Sequence, residues 1–361
     1  MSDNLSEDNL HTPRISLIMT VFNEGASLRG VLDSFAAQTR QPDEIVIVDG
    51  GSTDDTVLVL KEYVDRLPLQ VYGSLGCNIS EGRNIAISKA VGDIIAATDA
   101  GTRLPDDWLE HITNPFLANP ALQVVAGFFR ADPHTPFEVA LGATVLPLHE
   151  EIDPATFLPS SRSVAFRKAA WQAVGGYPEW IDYCEDLIYD INLQTLYAPF
   201  GFAPDACVAF RPRADMRAFW VQYYRYARGD GKADLWRKRH AIRYLTYLVG
   251  VPGIFLLGWL KGPLWWLLVV PGAFAYLRRP YQRLSTVWTW YRGPAPSWRD
   301  RLAVWAWLPV IRVVGDLAKM VGYPAGWVWR RRNHPSDWRV KQEAPLKKRS
   351  MNGSNGQHPT A

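Results

Sequence analysis

The sequence predicts an α/β fold built on a doubly wound, mostly parallel sheet. Three observations carry that expectation. Short apolar runs alternate with helix-like segments between residues 15 and 98, two of the runs close on an aspartate, and Gly- or Ser-rich turns follow those aspartates.

Each element has its own justification. Residues 15–21 (ISLIMTV) form an apolar run of strand length that stops at Phe22-Asn23-Glu24-Gly25, a polar turn opening a helix over about 27–38. Residues 44–48 are a second strand, which runs into Asp49-Gly50-Gly51-Ser52-Thr53-Asp54. Thr53 or Asp54 then caps a helix reaching about residue 64. Residues 69–72 are a third strand, and 80–90 a helix with Arg83 near its amino end. Residues 93–98 are the next strand. Residues 130–159 are Pro-rich and show no clear period. A strand over 163–166, a helix from Lys168, the breaker Gly175-Gly176-Tyr177-Pro178 and the acidic pair Glu185-Asp186 follow.

An aspartate at the carboxyl end of a parallel strand projects into the crevice where open α/β sheets bind ligands. Asp99, closing Ile94-Ile95-Ala96-Ala97-Thr98, is placed there, and Asp49 closes another strand. A carboxylate at that point suits Mg²⁺ or Mn²⁺, which prefer hard oxygen ligands shared with a substrate's phosphates. Capping a helix or starting a turn is the plainer role open to the same residue. The chain has no G-x-G-x-x-G, which argues against a dinucleotide-binding fold, and no G-x-x-x-x-G-K-[ST], which excludes a P-loop.

The net charge of +3 on 361 residues conceals a division. Residues 1–210 hold 12 Lys/Arg against 29 Asp/Glu, a balance of −17; residues 211–361 hold 27 against 7, a balance of +20. The second part also has 13 of the 16 Trp. Basic, Trp-rich and apolar together point to a membrane interface; long uncharged apolar runs fit nucleic-acid binding poorly. Three scattered cysteines, Cys77, Cys184 and Cys207, argue against a disulfide scaffold or a zinc site. Residues 1–12 are polar and acidic without an apolar core, so they are no signal peptide and are expected to be disordered, as is the polar tail over 341–361.

Residues 15–24, Asp49-Gly50-Gly51-Ser52-Thr53-Asp54, Gly82-Arg83-Asn84 and Thr98-Asp99-Ala100-Gly101 together resemble the family 2 glycosyltransferases, inverting enzymes of the Rossmann-like GT-A fold that use nucleotide-diphosphate sugars. The resemblance covers roughly residues 13–230. It implies that Thr20, Phe22, Asn23, Glu24 and Asp49 line the nucleotide pocket, that Arg83 reaches the diphosphate and that Asp99 holds the metal. Two motifs depart from the family's pattern: the usual Asp-Asp-Gly-Ser reads Asp49-Gly50-Gly51-Ser52, and the usual Asp-x-Asp reads Asp99-Ala100-Gly101. The acidic pair after the Gly-Gly-Tyr turn matches the family's catalytic base at Asp186, with Glu185 beside it. Inverting transfer is one displacement at the anomeric carbon and needs one carboxylate to take the acceptor's hydroxyl proton. The same two acids would otherwise be first-turn charges favoured by the helix dipole.

Gln222-Tyr223-Tyr224-Arg225-Tyr226 resembles the Q-x-x-R-W motif of processive synthases such as cellulose and hyaluronan synthases, with Tyr in the last place. The resemblance implies an amphipathic interface helix over 215–243, on which Gln222, Arg225 and Tyr226 close the site over donor diphosphate and acceptor sugar. Residues 244–260 and 264–277 are uncharged, each short of the about twenty residues that span a bilayer, so the expected membrane hairpin over 244–279 is open to three forms: a tight spanning hairpin, a re-entrant pair, or one long segment kinked around Lys261. Arg237, Lys238, Arg239 and Arg243 precede it, and Arg278, Arg279 and Arg283 follow, which places both ends in the cytoplasm. Within the helical region 280–340, Leu302, Trp305, Ala306, Val310, Val313, Val314, Leu317, Met320 and Val321 share one helical stripe opposite Arg312, Asp316 and Lys319. That pattern suits a helix lying in the interface plane and kinked at Pro309, or one packed on the catalytic domain.

The sequence therefore points to a glycosyltransferase at the cytoplasmic face of a bacterial-type inner membrane. It takes a nucleotide-diphosphate sugar, requires Mg²⁺ or Mn²⁺ and serves a lipid-linked or envelope saccharide, with no nucleic-acid partner. A polyprenyl-phosphate sugar transferase, a catalytically idle membrane scaffold and a nucleotidyltransferase are the competing functions.

Overall fold

The computed structural model describes residues 13–340; the expectations for 1–12 and 341–361 lie outside them. Eight strands form one sheet: β1 (Ile15–Val21), β2 (Glu44–Asp49), β3 (Leu69–Gly73), β4 (Ile94–Ala97), β5 (Thr102–Arg103), β6 (Val124–Ala131), β7 (Val164–Arg167) and β8 (Gly201–Phe210), in the order β3-β2-β1-β4-β7-β6-β8-β5. Strands β3, β2, β1 and β4 are mutually parallel, as expected; β7 runs antiparallel to β4 and β6 to β7, while β8 returns parallel to β6.

Helices α1 (Leu28–Ala36), α2 (Thr56–Lys61), α3 (Ile79–Lys89), α4 (Trp108–Ala118), α5 (Pro136–Val145), α6 (Lys168–Ala173) and α7 (Glu185–Tyr197) cover or flank this sheet. Alternation along β1 divides the core in two. Leu17 and Met19 meet α1, α2 and α4 on one face, while Ile18 meets α3, α6 and α7 on the other. Register fixes the functional edge: Val21 lies opposite Asp49, and Ile18 opposite Ala97, so the segments after β1, β2 and β4 emerge at one rim.

Residues 130–159, which show no period, contain α5. Residues 138–144 are all buried in it, so no polar face exists to mark a helical repeat. Thr135 caps it through the Glu138 amide, and Pro136 starts it.

The remaining helices are α8 (Met216–Ala233), α9 (Arg237–Leu245), α10 (Val251–Lys261), α11 (Val269–Thr289) and α12 (Trp298–Asn333). The interface helix expected over 215–243 is two helices, because Asp234 and Trp236 take left-handed backbone conformations between them. A π turn over Thr246–Gly250 joins α9 to α10, and the combined Arg237–Lys261 helix is long and apolar enough to cross a membrane. The chain turns at Gly262 (φ 114°) and passes through a 3₁₀ turn, Pro263–Leu268, into α11. Two of the flanking cations are committed inward: Arg243 bonds Asp316 at 2.7 Å and Arg283 bonds Glu151 at 2.7 Å.

Helix α12 runs on through Pro309 and Pro324 and packs against α8 and α5. The face it buries is not its most apolar one. Val304, Leu308, Ile311, Gly315, Ala318, Gly322 and Gly326 point inward, while Leu302, Trp305, Val310, Val313, Leu317 and Val321 are exposed. Backbone proximity explains the inversion. A Cβ on Gly322 would stand 2.2 Å from the Tyr224 carbonyl oxygen, and one on Gly326 2.0 Å from that of Arg228, so only glycine permits this crossing.

Candidate active site

Asp99 lies two residues past the end of β4, and its carboxylate is held by guanidinium groups from two directions. Arg83 Nη2 donates to Asp99 Oδ1 at 2.8 Å, and Arg162 Nε lies 3.7 Å from Oδ2. Burial works to raise the Asp99 carboxyl, but Arg83 and Arg162 outweigh it and hold it below the ordinary carboxylate range.

Arg83 comes from α3, whose start is fixed by a capping box between Asn78 and Glu81. The side chain is buried, lies 5.3 Å from the Tyr177 ring centroid, and sends Nη1 to Glu185 Oε1 at 3.0 Å. One arginine thus bridges the end of β4 and the start of α7. Asn84 locks the intervening turn, since its side chain bonds both the amide and the carbonyl of Tyr177 at 2.9 Å.

Glu185 and Asp186 open α7, and their surroundings separate them. Burial, and Asp186 beside it, push Glu185 up to about 7 although Arg83 pulls the other way. Asp186 Oδ1 accepts the Leu187 amide at 2.8 Å, and Asp186 lines the same cavity as Asp99. That cavity has a volume of about 480 Å³, within the range of small-molecule sites.

The Q-x-x-R-Y segment on α8 forms another wall. Tyr226 lines the cavity and its hydroxyl accepts from Gln222 Nε2 at 2.7 Å. Arg225 Nη1 donates to the Tyr183 hydroxyl at 2.8 Å, with the guanidinium over that ring. Tyr183 lines the cavity too, its ring centroid 6.1 Å from that of Tyr226. Gln222 and Arg225 therefore reach the cavity through the tyrosines they hold rather than by lining it.

The proposed nucleotide-pocket residues stand along the same sheet rim but outside this cavity's lining. Burial first, and then the carboxylates of Asp99 and Asp54, raise the pKa of Glu24. Phe22 is 60% exposed, a free aromatic face at the end of β1. Thr20 is half-buried beneath α3. Asn23 and Asp49 are spent on the loops themselves. Asn23 Oδ1 accepts the Thr53 amide at 2.9 Å, and Asp49 accepts the amides of Gly51 and Ser52, each at 3.0 Å. An Asp followed by Gly-Gly-Ser bonds its own backbone readily, which is the physical meaning of that motif here.

A divalent cation finds a thin but chemically suitable protein shell. Among the described residues no group of three His, Cys, Asp or Glu side chains converges on one point. Asp99 is the one hard-oxygen donor at the end of β4 that lines the cavity: Oδ1 is taken by Arg83, and Oδ2, 3.7 Å from Arg162 Nε, is the oxygen a cation could take.

Sequence reasoning missed Arg162, Tyr183 and a third wall made by His240 and Arg243 of α9 and Lys319 of α12. Arg162 had one available signal, a cation among the serines Ser160, Ser161 and Ser163 at the start of a strand. The third wall had none, because α9 and α12 are far apart in sequence.

Residues 16–172 match the family model described as Glycosyl transferase family 2. The succinoglycan biosynthesis protein ExoA of Rhizobium meliloti is 25% identical over 284 residues, covering 74% of this chain and 84% of that relative. The O-antigen chain rhamnosyltransferase RfbN of Salmonella typhimurium is 25% identical over 231 residues, covering 57% of this chain and 70% of the relative. A mannosyltransferase from Pyrobaculum calidifontis, solved in complex with GDP-Man and Mn²⁺, shares the fold at a TM-score of 0.57 and 18% identity, covering 86% of this chain and 88% of that one.

Proposed function

We propose, from the premise that this chain is a glycosyltransferase with a family 2 catalytic domain on a GT-A fold, that it is an inverting enzyme serving a lipid-linked or cell-envelope saccharide. The observation that carries this reading is the bridge from Asp99 through Arg83 to Glu185, with Asp186 left free beside it in one cavity.

Asp186 is the general base: it takes the proton of the acceptor hydroxyl as that oxygen attacks the anomeric carbon. Arg83 and Glu185 fix its neighbourhood, and a buried Arg83 cannot drift as the substrates exchange. Asp99 would hold Mg²⁺ or Mn²⁺, with donor diphosphate and water completing the shell, and such an ion offsets charge on the departing diphosphate. Arg162 faces that same departing group from the start of β7. Tyr183 and Tyr226 give aromatic faces against which a sugar ring packs, and in-line alignment of donor and acceptor supplies much of the remaining rate gain. Phe22 and Glu24 extend the donor site along the rim toward Asp49.

The relatives named for succinoglycan and O-antigen biosynthesis support a polysaccharide-type acceptor. The exposed apolar surface of α10, the start of α11 and the outward stripe of α12 supports attachment to a bilayer, with the catalytic domain on the cytoplasmic side.

The test is a donor screen that measures nucleoside diphosphate release by detergent-solubilised protein. One uridine- or guanosine-linked sugar should be turned over with Mg²⁺ or Mn²⁺ present, and Asp99→Ala should abolish that turnover. Absence of release with every donor and both metals would overturn the reading.

A further inference from the structure

The turn that delivers Asp186 does not hold itself. Helices α3, α5 and α8 each start on a side chain that caps their own amides: Asn78, Thr135 and Asp215. Among the described residues, α7 has no such bond at its start, where Cys184 stands in a left-handed backbone conformation (φ 71°, ψ 17°). Glycine takes that conformation freely, whereas a residue with a β-carbon is strained in it. Such a conformation persists only where the surroundings impose it.

Helix α8 imposes it, by gripping three consecutive residues of the turn. Asp182 Oδ2 accepts Arg228 Nη2 at 2.9 Å and Lys232 Nζ at 3.3 Å, and the Lys232 ammonium is itself buried, 4.6 Å from the Trp329 ring centroid. The Tyr183 hydroxyl accepts Arg225 Nη1 at 2.8 Å. Cys184 Sγ lies 3.3 Å from the Tyr226 carbonyl oxygen and 3.6 Å from Asp230 Oδ1. Burial, and then the Asp230 carboxylate, push the Cys184 thiol well up, so it keeps the hydrogen it donates.

Gly229 is what lets α8 come so near. A Cβ there would stand 2.5 Å from the Tyr183 carbonyl oxygen and 2.7 Å from Cys184 Sγ. On its other side α8 is fixed in turn, since Gly322 and Gly326 press α12 against the backbone of Tyr224 and Arg228. Arg330 Nη1 also bonds the Lys232 carbonyl at 2.9 Å, and Trp338 Nε1 that of Ala233 at 3.0 Å. The place of the acid pair is thus set from outside the sheet domain.

We propose that α8 positions Asp186 by clamping Asp182–Cys184, with Gly229 and Cys184 as positioning residues for the general base. The proposal rests on the glycosyltransfer reading and adds to it the residues that fix where its base stands.

Hydrogen exchange read by mass spectrometry over residues 183–190, on the full detergent-solubilised chain, tests the clamp without reference to activity. Steady-state kinetics on the same samples test its consequence. Gly229→Ala improves helix propensity but puts a methyl group into the contact. Exchange in 183–190 should then quicken at least about tenfold, and kcat should fall about 10–10²-fold, the scale of a small misplacement, with donor KM little changed. Cys184→Gly relaxes the backbone and removes the thiol, so Tm should stay near that of wild type while exchange quickens and kcat falls. Cys184→Ser keeps a donor and should restore most of both.

Wild-type exchange in Cys184→Gly would overturn the proposal, whether or not Gly229→Ala folds. Faster exchange at unchanged kcat would overturn it too, because the contact would then serve stability alone. If the wild type turns over no donor, it is the glycosyltransfer reading that falls, and the exchange rates still decide the clamp.

Discussion

The sheet domain and the helical region are held together by opposite means. Between β1–β4 and their covering helices, the core is made of side chains: Leu17, Met19, Ile47, Phe35 and Trp108 are fully buried and interlock. Where α8 meets the second half of α12, past the buried Val304, Leu308 and Ile311, the seam is made of backbone, with Gly322 and Gly326 brought against the carbonyls of Tyr224 and Arg228. A side-chain core leaves a protein free to keep its apolar residues inside. A backbone seam leaves the large apolar residues of α12 outside, where a bilayer can take them. The comparison teaches that the same composition, apolar and aromatic, is buried as a core in one half and left on the surface in the other.

The largest expected effect separates the chemistry of the sheet end from mere binding. Asp186→Asn should lower kcat by about 10²–10⁴-fold for a hydroxyl acceptor, with KM for the donor little changed. Steady-state kinetics with the donor found in the screen measure it. Near-full activity in this variant would mean that the acceptor nucleophile is a phosphate, which needs little proton removal, and the polyprenyl-phosphate reading would replace the hydroxyl one.

A smaller effect tests the backbone seam. Gly322→Leu should cost about 1–3 kcal/mol or more through overpacking, seen as a lowered Tm in detergent. The adjacent Val321→Thr, on the exposed stripe, should stay within about 0.5 kcal/mol. Equal Tm values for the two variants would show that the seam is looser than described.

The smallest effect concerns pH. With its carboxyl raised to about 7, Glu185 is favoured neutral in the fold, so the stability tied to the neutral form is lost as pH rises through 7. The charged pair with Arg83 forms fully only above that point. Turnover should therefore rise toward a plateau above pH 7 and lie about tenfold lower at pH 6. In Glu185→Gln the carboxyl that titrates there is gone, and the rise near pH 7 should vanish from a kcat–pH profile. A profile unchanged by the substitution would detach Glu185 from the reaction.

Legibility in the sequence followed the range of the physics involved. Strands β1, β2 and β4 announced themselves because buried parallel strands are continuous apolar runs, and Asp49 and Asp99 stood out as the charges that end them. Arg83 and the Glu185-Asp186 pair were legible through family resemblance, and the structure brings all but Asp49 of these acids to one cavity. Helix α5 was illegible because burial on every side erases its period. The stripe of α12 was legible as a stripe, yet its direction was not, since a glycine seam carries almost no hydropathy signal. Gln222 and Arg225 were visible as a motif, while their hydrogen bonds to Tyr226 and Tyr183 are a matter of side-chain geometry alone.

By itself the sequence determined the alternation of strand and helix, the sheet's working edge and the division into an acidic catalytic half and a basic, Trp-rich half, because each depends on neighbours within a few residues. Only the tertiary structure decided which cations meet which acids: Arg162 on Asp99, Arg243 on Asp316, and Lys319, among the described residues, on none. The reason is distance along the chain. Such pairs are set by how β7, α9 and α12 fold back upon the sheet, and no local pattern records the other end of a contact that closes across dozens of residues.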